Sequence, residues 1–236
     1  MSSPRERNVD ENLESLRNQF PAVSEYLAQI FFIERDNGIV PNSDLAVRLK
    51  VSRPAVSQAV GRLKKLGLVA QERYGTIDLT TKGRALAEKT VKHHFLLEHL
   101  LVQALGYPWD KSDAEAANMK ASLSDELTAY LLRHFGNPST CPHGNPMPGS
   151  NLEQKYLSAP TLVEAAVGMS VRIIRITEEG ELIDGMLSFC QENRLTPGTK
   201  VEIVSQSETE TVCLHRTDRL AIPMEFSTRI RWQAYD

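Results

Sequence analysis

Residues 51–65 read VSRPAVSQAVGRLKK, and the rest of the chain can be organised around them. Val56, Val60 and Leu63 recur at the spacing of a helix with one apolar side. Ser52 stands where an N-cap is expected, and Pro54 lies in the first turn, where a missing amide hydrogen costs little. The presumed outer side carries Ser52, Arg53, Ser57, Gln58 and Arg62, followed by Lys64 and Lys65. These side chains suit a DNA duplex. A glutamine can pair bidentately with adenine, a serine can donate to phosphate or a base edge, Pro54 can touch a thymine methyl, and the cations can neutralise backbone charge.

The flanks extend this pattern. Upstream, Val23, Tyr26, Leu27, Ile30, Phe31 and Ile33 predict a first helix, broken by Asn37-Gly38. Asn42-Ser43-Asp44 can then cap a second helix carrying Leu45, Ala46 and Leu49, with a tight turn at Lys50-Val51; Ser43 joins the residues expected to face DNA. Downstream, Leu68 to Arg73 and Thr76 to Leu79 are short strand-like runs joined through Tyr74-Gly75, a small hairpin. Helix, turn, helix and hairpin together predict a winged helix-turn-helix.

The whole chain of 236 residues carries a net charge of −3, which taken alone disfavours nucleic acid. The average hides an asymmetry. Residues 27–92 hold about +6, residues 1–26 about −2 and residues 93–236 about −7, as expected when one module faces phosphate and the others do not. No apolar run is long enough for a membrane span, and the N-terminal stretch lacks a secretion-signal pattern, so a cytoplasmic protein without membrane association is expected. Three cysteines, Cys141, Cys190 and Cys213, are too few for a disulfide scaffold.

Beyond the hairpin, Thr80 or Thr81 starts a long helical stretch through Ala85, Leu86, Val91, Phe95, Leu97, Leu100, Leu101 and Leu105, ending at Gly106. It is apolar on more than one side, as a helix buried against both its own domain and a second copy of the chain would be. A further helix is predicted from about Ser112 to about His134, with Leu123, Leu127, Leu131 and Leu132 in its core. A segment rich in proline and glycine around CPHGNPMPG comes next as a linker, and SVRIIRI, TKVEIVS, TVCLHR and STRIRWQ are strand-like, with one short helix at Ile183 to Gln191. The expected domains are a polar leader (1–22), the winged helix (23–92), a helical dimerisation domain (93–135), the linker (136–160) and a small β-barrel (161–236).

With these motifs in place, the chain resembles the DtxR/MntR family of metal-dependent transcriptional repressors over roughly residues 23–236. The resemblance runs through SRPAVSQAV (52–60), GLV (67–69), HHFLLEHLL (93–101), LSDEL (123–127) and GNPMPG (144–149). VRIIRI (171–176) and TKVEIV (199–204) resemble the family's SH3-like, FeoA-type domain. The resemblance implies a mainly α protein with a small C-terminal β domain, and a homodimer whose winged helices bind a palindromic operator upstream of metal-uptake or related genes. It also implies Ser52, Pro54 and Gln58 as base readers.

The metal positions depart from the family. Where the resemblance implies a primary metal site, this chain has Glu25, Ala117, Lys120 and Ala121. Alanine cannot coordinate and an ammonium repels a cation, so a primary-site metal is not expected. An ion pair between Lys120 and Glu25 is expected instead, supplying permanently the charge a metal supplies conditionally and weakening dependence on metal. The ancillary site is better kept: His94 and Glu98, four residues apart on one helix face, match implied ligands, and Asp113 stands at a third. Ile183 and Met186 occupy the positions from which the C-terminal domain would complete it. Mn2+ or Fe2+, or Zn2+ or Co2+ in vitro, is the expected occupant.

Cys141-Pro-His143 and Cys213-Leu-His215 have poor zinc spacing and are expected to be structural. Another effector, such as haem, an iron–sulfur cluster or a small molecule, is the alternative on the same scaffold. His93, His94 and His99 come with no nucleophile motif or phosphate-cradling loop, so an enzyme is not expected. A protein-interaction adaptor is the remaining alternative; unlike it, a DNA-binding protein would lose affinity steeply with salt.

Overall fold

The computed structural model describes residues 21–72 and 75–235. Residues 1–20 of the expected leader and the hairpin-tip residues Arg73 and Tyr74 lie outside the described residues. The chain forms two compact units: one takes the described residues up to His93 together with Lys120–Leu123, the other His94–Met119 with the described residues from Ser124 onward.

The first unit opens with α1 (Pro21–Asn37), which buries Val23, Leu27, Ile30, Phe31 and Ile33 and leaves Tyr26 half-buried. Helix α2 (Asn42–Leu49) comes next, but the expected polar cap is not used. Pro41 occupies the N-cap, and Asn42 lies inside the first turn, where its amide accepts from Gln71 Nε2 at 2.8 Å and donates to Ser57 Oγ at 3.4 Å. Lys50 closes α2 in the left-handed region at φ 54°. Helix α3 (Arg53–Lys65) begins as the sequence predicts: Ser52 Oγ accepts from the Ala55 amide at 3.3 Å, and Val56, Val60 and Leu63 are buried. Strands β1 (Val69–Gln71) and β2 (Ile77–Leu79) pair antiparallel, with Val69 opposite Leu79.

Helix α4 (Thr81–His99) continues as a π-helical turn at Leu100–Ala104. Thr80 caps it by accepting from the Gly83 amide at 3.0 Å. Gly83 is required there, because a Cβ would lie 1.8 Å from the Leu68 carbonyl oxygen.

In the second unit a single-turn helix at Trp109–Lys111 leads into α5 (Ser112–Met119). The single helix expected from Ser112 to His134 is broken. A 3-10 turn occupies Lys120–Ser122, and Ser124 starts a new helix, α6 (Asp125–His134), by accepting from the Leu127 amide at 3.2 Å. A serine with an acidic first turn is a start signal, and here it outweighs the run of helix formers before it. Leu131 is buried, but Leu127, expected in the core, is exposed together with Tyr130.

After the proline-rich segment and the short α7 (Glu153–Leu157) come β3 (Ser170–Ile176), α8 (Met186–Glu192), β4 (Lys200–Gln206), β5 (Glu210–His215), β6 (Asp218–Pro223), α9 (Met224–Ser227) and β7 (Ile230–Ala234). The sheet order is β6-β5-β4-β3-β7, all antiparallel, with β6 and β7 at its edges. Bulges in the β3–β7 and β4–β5 pairings bend the sheet around a core of Val171, Ile173, Ile176, Met186, Ile203 and Trp232. Among the described residues no helix is long and apolar enough to cross a membrane.

Candidate nucleic-acid interface and metal centre

Helix α3 turns its two sides to different surroundings. Ser52, Arg53, Pro54, Ser57, Gln58 and Arg62 are all exposed, while Val56, Val60 and Leu63 face the core. Lys64 Nζ donates to the Gln71 carbonyl at 2.7 Å and ties α3 to the hairpin. Ser43 is half-buried, and its hydroxyl donates to Asp44 Oδ1 at 3.0 Å. The result is a polar, cationic ridge held by Asn42 and Lys64 on a rigid apolar base.

Lys120 is buried within the same unit, its Nζ 2.7 Å from Glu25 Oε2. The other Glu25 oxygen accepts from Gln29 Nε2 at 2.7 Å, and Gln29 Oε1 accepts from Arg48 Nε on α2. Arg48 also lies over the Phe32 ring, 5.2 Å from its centre. Thus the expected Lys120–Glu25 pair forms and is linked to the helix-turn-helix. Ala117 on α5 and Ala121 offer no ligand atom.

In the second unit α4 and the 141–145 turn bring together a larger cluster. His94 Nε2 lies 2.7 Å from Glu98 Oε1 and 2.9 Å from Asp113 Oδ1, as the i, i+4 spacing and the start of α5 allow. The second Glu98 oxygen lies 3.2 Å from His143 Nδ1, and Glu181 Oε1 lies 3.5 Å from the same nitrogen. His143 Nε2 is 3.0 Å from the Trp109 carbonyl oxygen. Glu98, Cys141 and His143 each present a ligand atom within 4.8 Å of the others, as do His94, Glu98 and Asp113, so Glu98 belongs to both trios.

The electrostatics suit a cation. Burial would lower His94, but the Glu98 and Asp113 carboxylates outweigh it and raise it to about 9. His143 is likewise raised to about 9, by Glu98 and Glu181 against burial. Burial would raise Glu98, but the His143 and His94 charges hold it well below the usual carboxylate range. Burial pushes Glu181 well up, with Asp113, Glu98 and Glu178 adding to the push, and burial with Glu98 and Glu181 does the same to the Cys141 thiol. His94 Nδ1 is buried with no hydrogen-bond partner among the described residues. A thiol, imidazoles and carboxylates together fit Fe2+, Co2+ or Zn2+ better than Mg2+ or Ca2+.

Two families of sequences cover the helical part of the chain. Residues 21–77 match "Iron dependent repressor, N-terminal DNA binding domain", and residues 80–149 match "Iron dependent repressor, metal binding and dimerisation domain". The diphtheria toxin repressor of Corynebacterium diphtheriae is 30% identical over 189 residues, covering 77% of this chain and 83% of that one. The chain belongs to the DtxR/MntR family. The iron-dependent repressor IdeR of Mycobacterium tuberculosis is 37% identical over 161 residues, 65% of this chain and 64% of that protein. For IdeR of Mycobacterium leprae the matched share of the relative is 54%, so the chain spans between half and two thirds of the IdeR relatives it matches. A solved structure of T. acidophilum IdeR superposes with a TM-score of 0.72 at 26% identity, over 90% of this chain and 97% of that one. A manganese-dependent transcriptional repressor in complex with manganese shares the fold at TM-score 0.78 and 24% identity.

Within this family frame the C-terminal contribution differs from the expected one. Met186 is fully buried in the sheet core and Ile183 packs against that core. Glu181, in the turn Gly180–Leu182, reaches the cluster in their place. Cys141 and His143, expected to be structural, stand among the donors, whereas Cys213 and His215 join no donor cluster among the described residues. The signal for the first pair was the short Cys-Pro-His spacing. What the sequence could not show is that Glu98 and Glu181 arrive from far along the chain.

Proposed function

We propose that the chain is a cytoplasmic, homodimeric, sequence-specific transcriptional repressor that reads a palindromic duplex with Ser52, Arg53, Pro54, Ser57, Gln58 and Arg62, with Ser43 close by. One observation carries this reading: every polar residue of α3 that suits base or phosphate contact is exposed while Val56, Val60 and Leu63 are buried. The exposed Leu127 and Tyr130 of α6 are apolar surface for the second copy. The protein acts by binding, not by catalysis. Control of metal-homeostasis or related genes is inferred from its relatives' names, which describe iron-dependent repression.

The finer part of the proposal concerns metal. Lys120 supplies a fixed positive charge beside Glu25, so DNA competence of the first unit does not wait on a cation there. Glu98, Cys141 and His143, with His94, Asp113 and Glu181 around them, would hold one divalent ion, Mn2+ or Fe2+ in the cell and Zn2+ or Co2+ in vitro. A bound ion would neutralise the buried carboxylates and steady the second unit. The experiment is selection of duplexes from a random pool with the purified chain, then competition against random DNA at several salt concentrations, with and without divalent ions. A selected palindrome, and affinity falling steeply with salt, support the reading; no preference over random competitor under any condition overturns it.

A further inference from the structure

Glu181 reaches the metal cluster from a single 3-10 turn, which leaves a long side chain with many rotamers to choose from. One neighbour fixes it. Asn145 is fully buried, and its Nδ2 donates to Glu181 Oε1 at 2.6 Å. An isolated amide could flip and offer its oxygen instead. Arg175 prevents that, because its Nε donates to Asn145 Oδ1, so only one orientation satisfies both neighbours. Arg175 is itself fully buried and is paired through Nη2 with Glu178.

The backbone explains how Arg175 comes to lie there. Opposite β7, Ile173 pairs with Trp232 and Arg175 with Arg231, so Ile174 is the extra residue of a bulge. A bulge breaks the in–out alternation of a strand and re-aims the side chains beyond it. Residues 173–176 are accordingly all buried. The turn carrying Asn145 is pinned to the same strand: the Ile176 amide donates to the His143 carbonyl at 2.9 Å, and the Cys141 amide to the Asn145 carbonyl at 2.8 Å. Gly144, at φ +90°, permits this approach, since a Cβ would lie 2.1 Å from the Ile174 carbonyl oxygen. One tight turn thus presents the Cys141 and His143 donors and also grips a third.

We infer that Asn145, its amide oriented by Arg175, is a positioning residue that holds Glu181 toward a divalent cation at Glu98, Cys141 and His143. This rests on the metal-binding reading above. Asn145 touches no metal; it acts through Glu181 alone, which gives its removal a distinctive signature.

The test titrates Co2+ into the full-length chain and monitors two absorption features, the near-ultraviolet thiolate band that reports Cys141 and the visible bands that report coordination geometry. Asn145→Ala should weaken Co2+ binding about 10–100-fold, the usual loss for an outer partner, and Glu181→Gln at least as much. Both should alter the visible bands alike while the thiolate band per bound cobalt persists. The double variant should bind no more weakly than Glu181→Gln alone, because the two residues act as one unit. Asn145→Asp, equal in size but without the donor, should behave as Asn145→Ala does and decides the matter if the alanine variant unfolds. Wild-type affinity in the Asn145→Asp variant, or additive losses in the double variant, would overturn the inference. A wild-type chain that binds no Co2+ would overturn the metal reading instead.

Discussion

At Glu25 a carboxylate meets the ammonium of Lys120 at 2.7 Å, whereas the Glu98 carboxylate, with Asp113 and Glu181 close by, faces the imidazoles of His94 and His143. The first place has its own cation, covalently fixed. The second sets its carboxylate against the imidazoles of His94 and His143, side chains that are themselves able to ligate a metal. Two positions that both gather acids therefore differ in their partners: a lysine at Glu25, and side chains able to ligate a metal at Glu98.

The strongest blow to this contrast falls on the second place. Glu98→Gln removes the carboxylate common to both trios, and Co2+ affinity in a titration should fall by more than the ~10–100-fold expected of an outer partner. Cys141→Ser should abolish the thiolate band while leaving weaker binding.

On the DNA side the expected effects are smaller and more selective. Gln58→Ala should cost about 1–3 kcal/mol of discrimination at one base position, whereas Arg62→Ala should weaken all sequences alike and reduce the salt slope by about 1; fluorescence anisotropy on selected and scrambled duplexes separates the two.

Lys120→Met keeps the aliphatic stem but removes the ammonium from Glu25, and with Glu25 partly exposed it should cost about 1–2 kcal/mol in a urea titration. Adding Ala121→His to Lys120→Glu should move DNA binding toward dependence on divalent metal, measured as the ratio of affinities with and without chelator. The least effect is expected from Ser52→Ala, which loses the α3 cap at about 1 kcal/mol and should leave metal binding untouched.

These two regions were not equally legible in the sequence. Helix α3 could be read almost residue by residue, because Ser52, Pro54 and the Val56, Val60, Leu63 spacing are local signals and the helix they specify stands on local hydrogen bonds. Lys120 and Glu25 could be paired only through the family resemblance. The start of α6 was missed because Ser124 sits inside a long stretch of helix formers, and the capping bond decides between one helix and two.

At the Glu98 cluster, His94 and Glu98 were visible as an i, i+4 pair on one helix. Cys141 and His143 were visible only as a short, proline-spaced pair in a connector. Their meeting with Glu98 is a tertiary event, 45 residues from Glu98 to His143, and it depends on β3 receiving the 141–145 turn. The displacement of the C-terminal ligand from Ile183 and Met186 to Glu181 has the same origin. Those two apolar side chains are taken up by the sheet core, and the acid two residues before Ile183 is left to face the cluster.

If the Lys120 ammonium stands in for a cation beside Glu25, as proposed, DNA binding by the full chain needs no metal. The direct measurement is the affinity of the full chain for its selected duplex after exhaustive chelation, set beside that with saturating Mn2+. The two values should agree within about fivefold, the low end of ordinary allosteric coupling, and Lys120→Met should lose affinity under chelation. A wild-type chain whose affinity collapses by about 100-fold or more on chelation would contradict the account and place the switch in the Glu98 cluster.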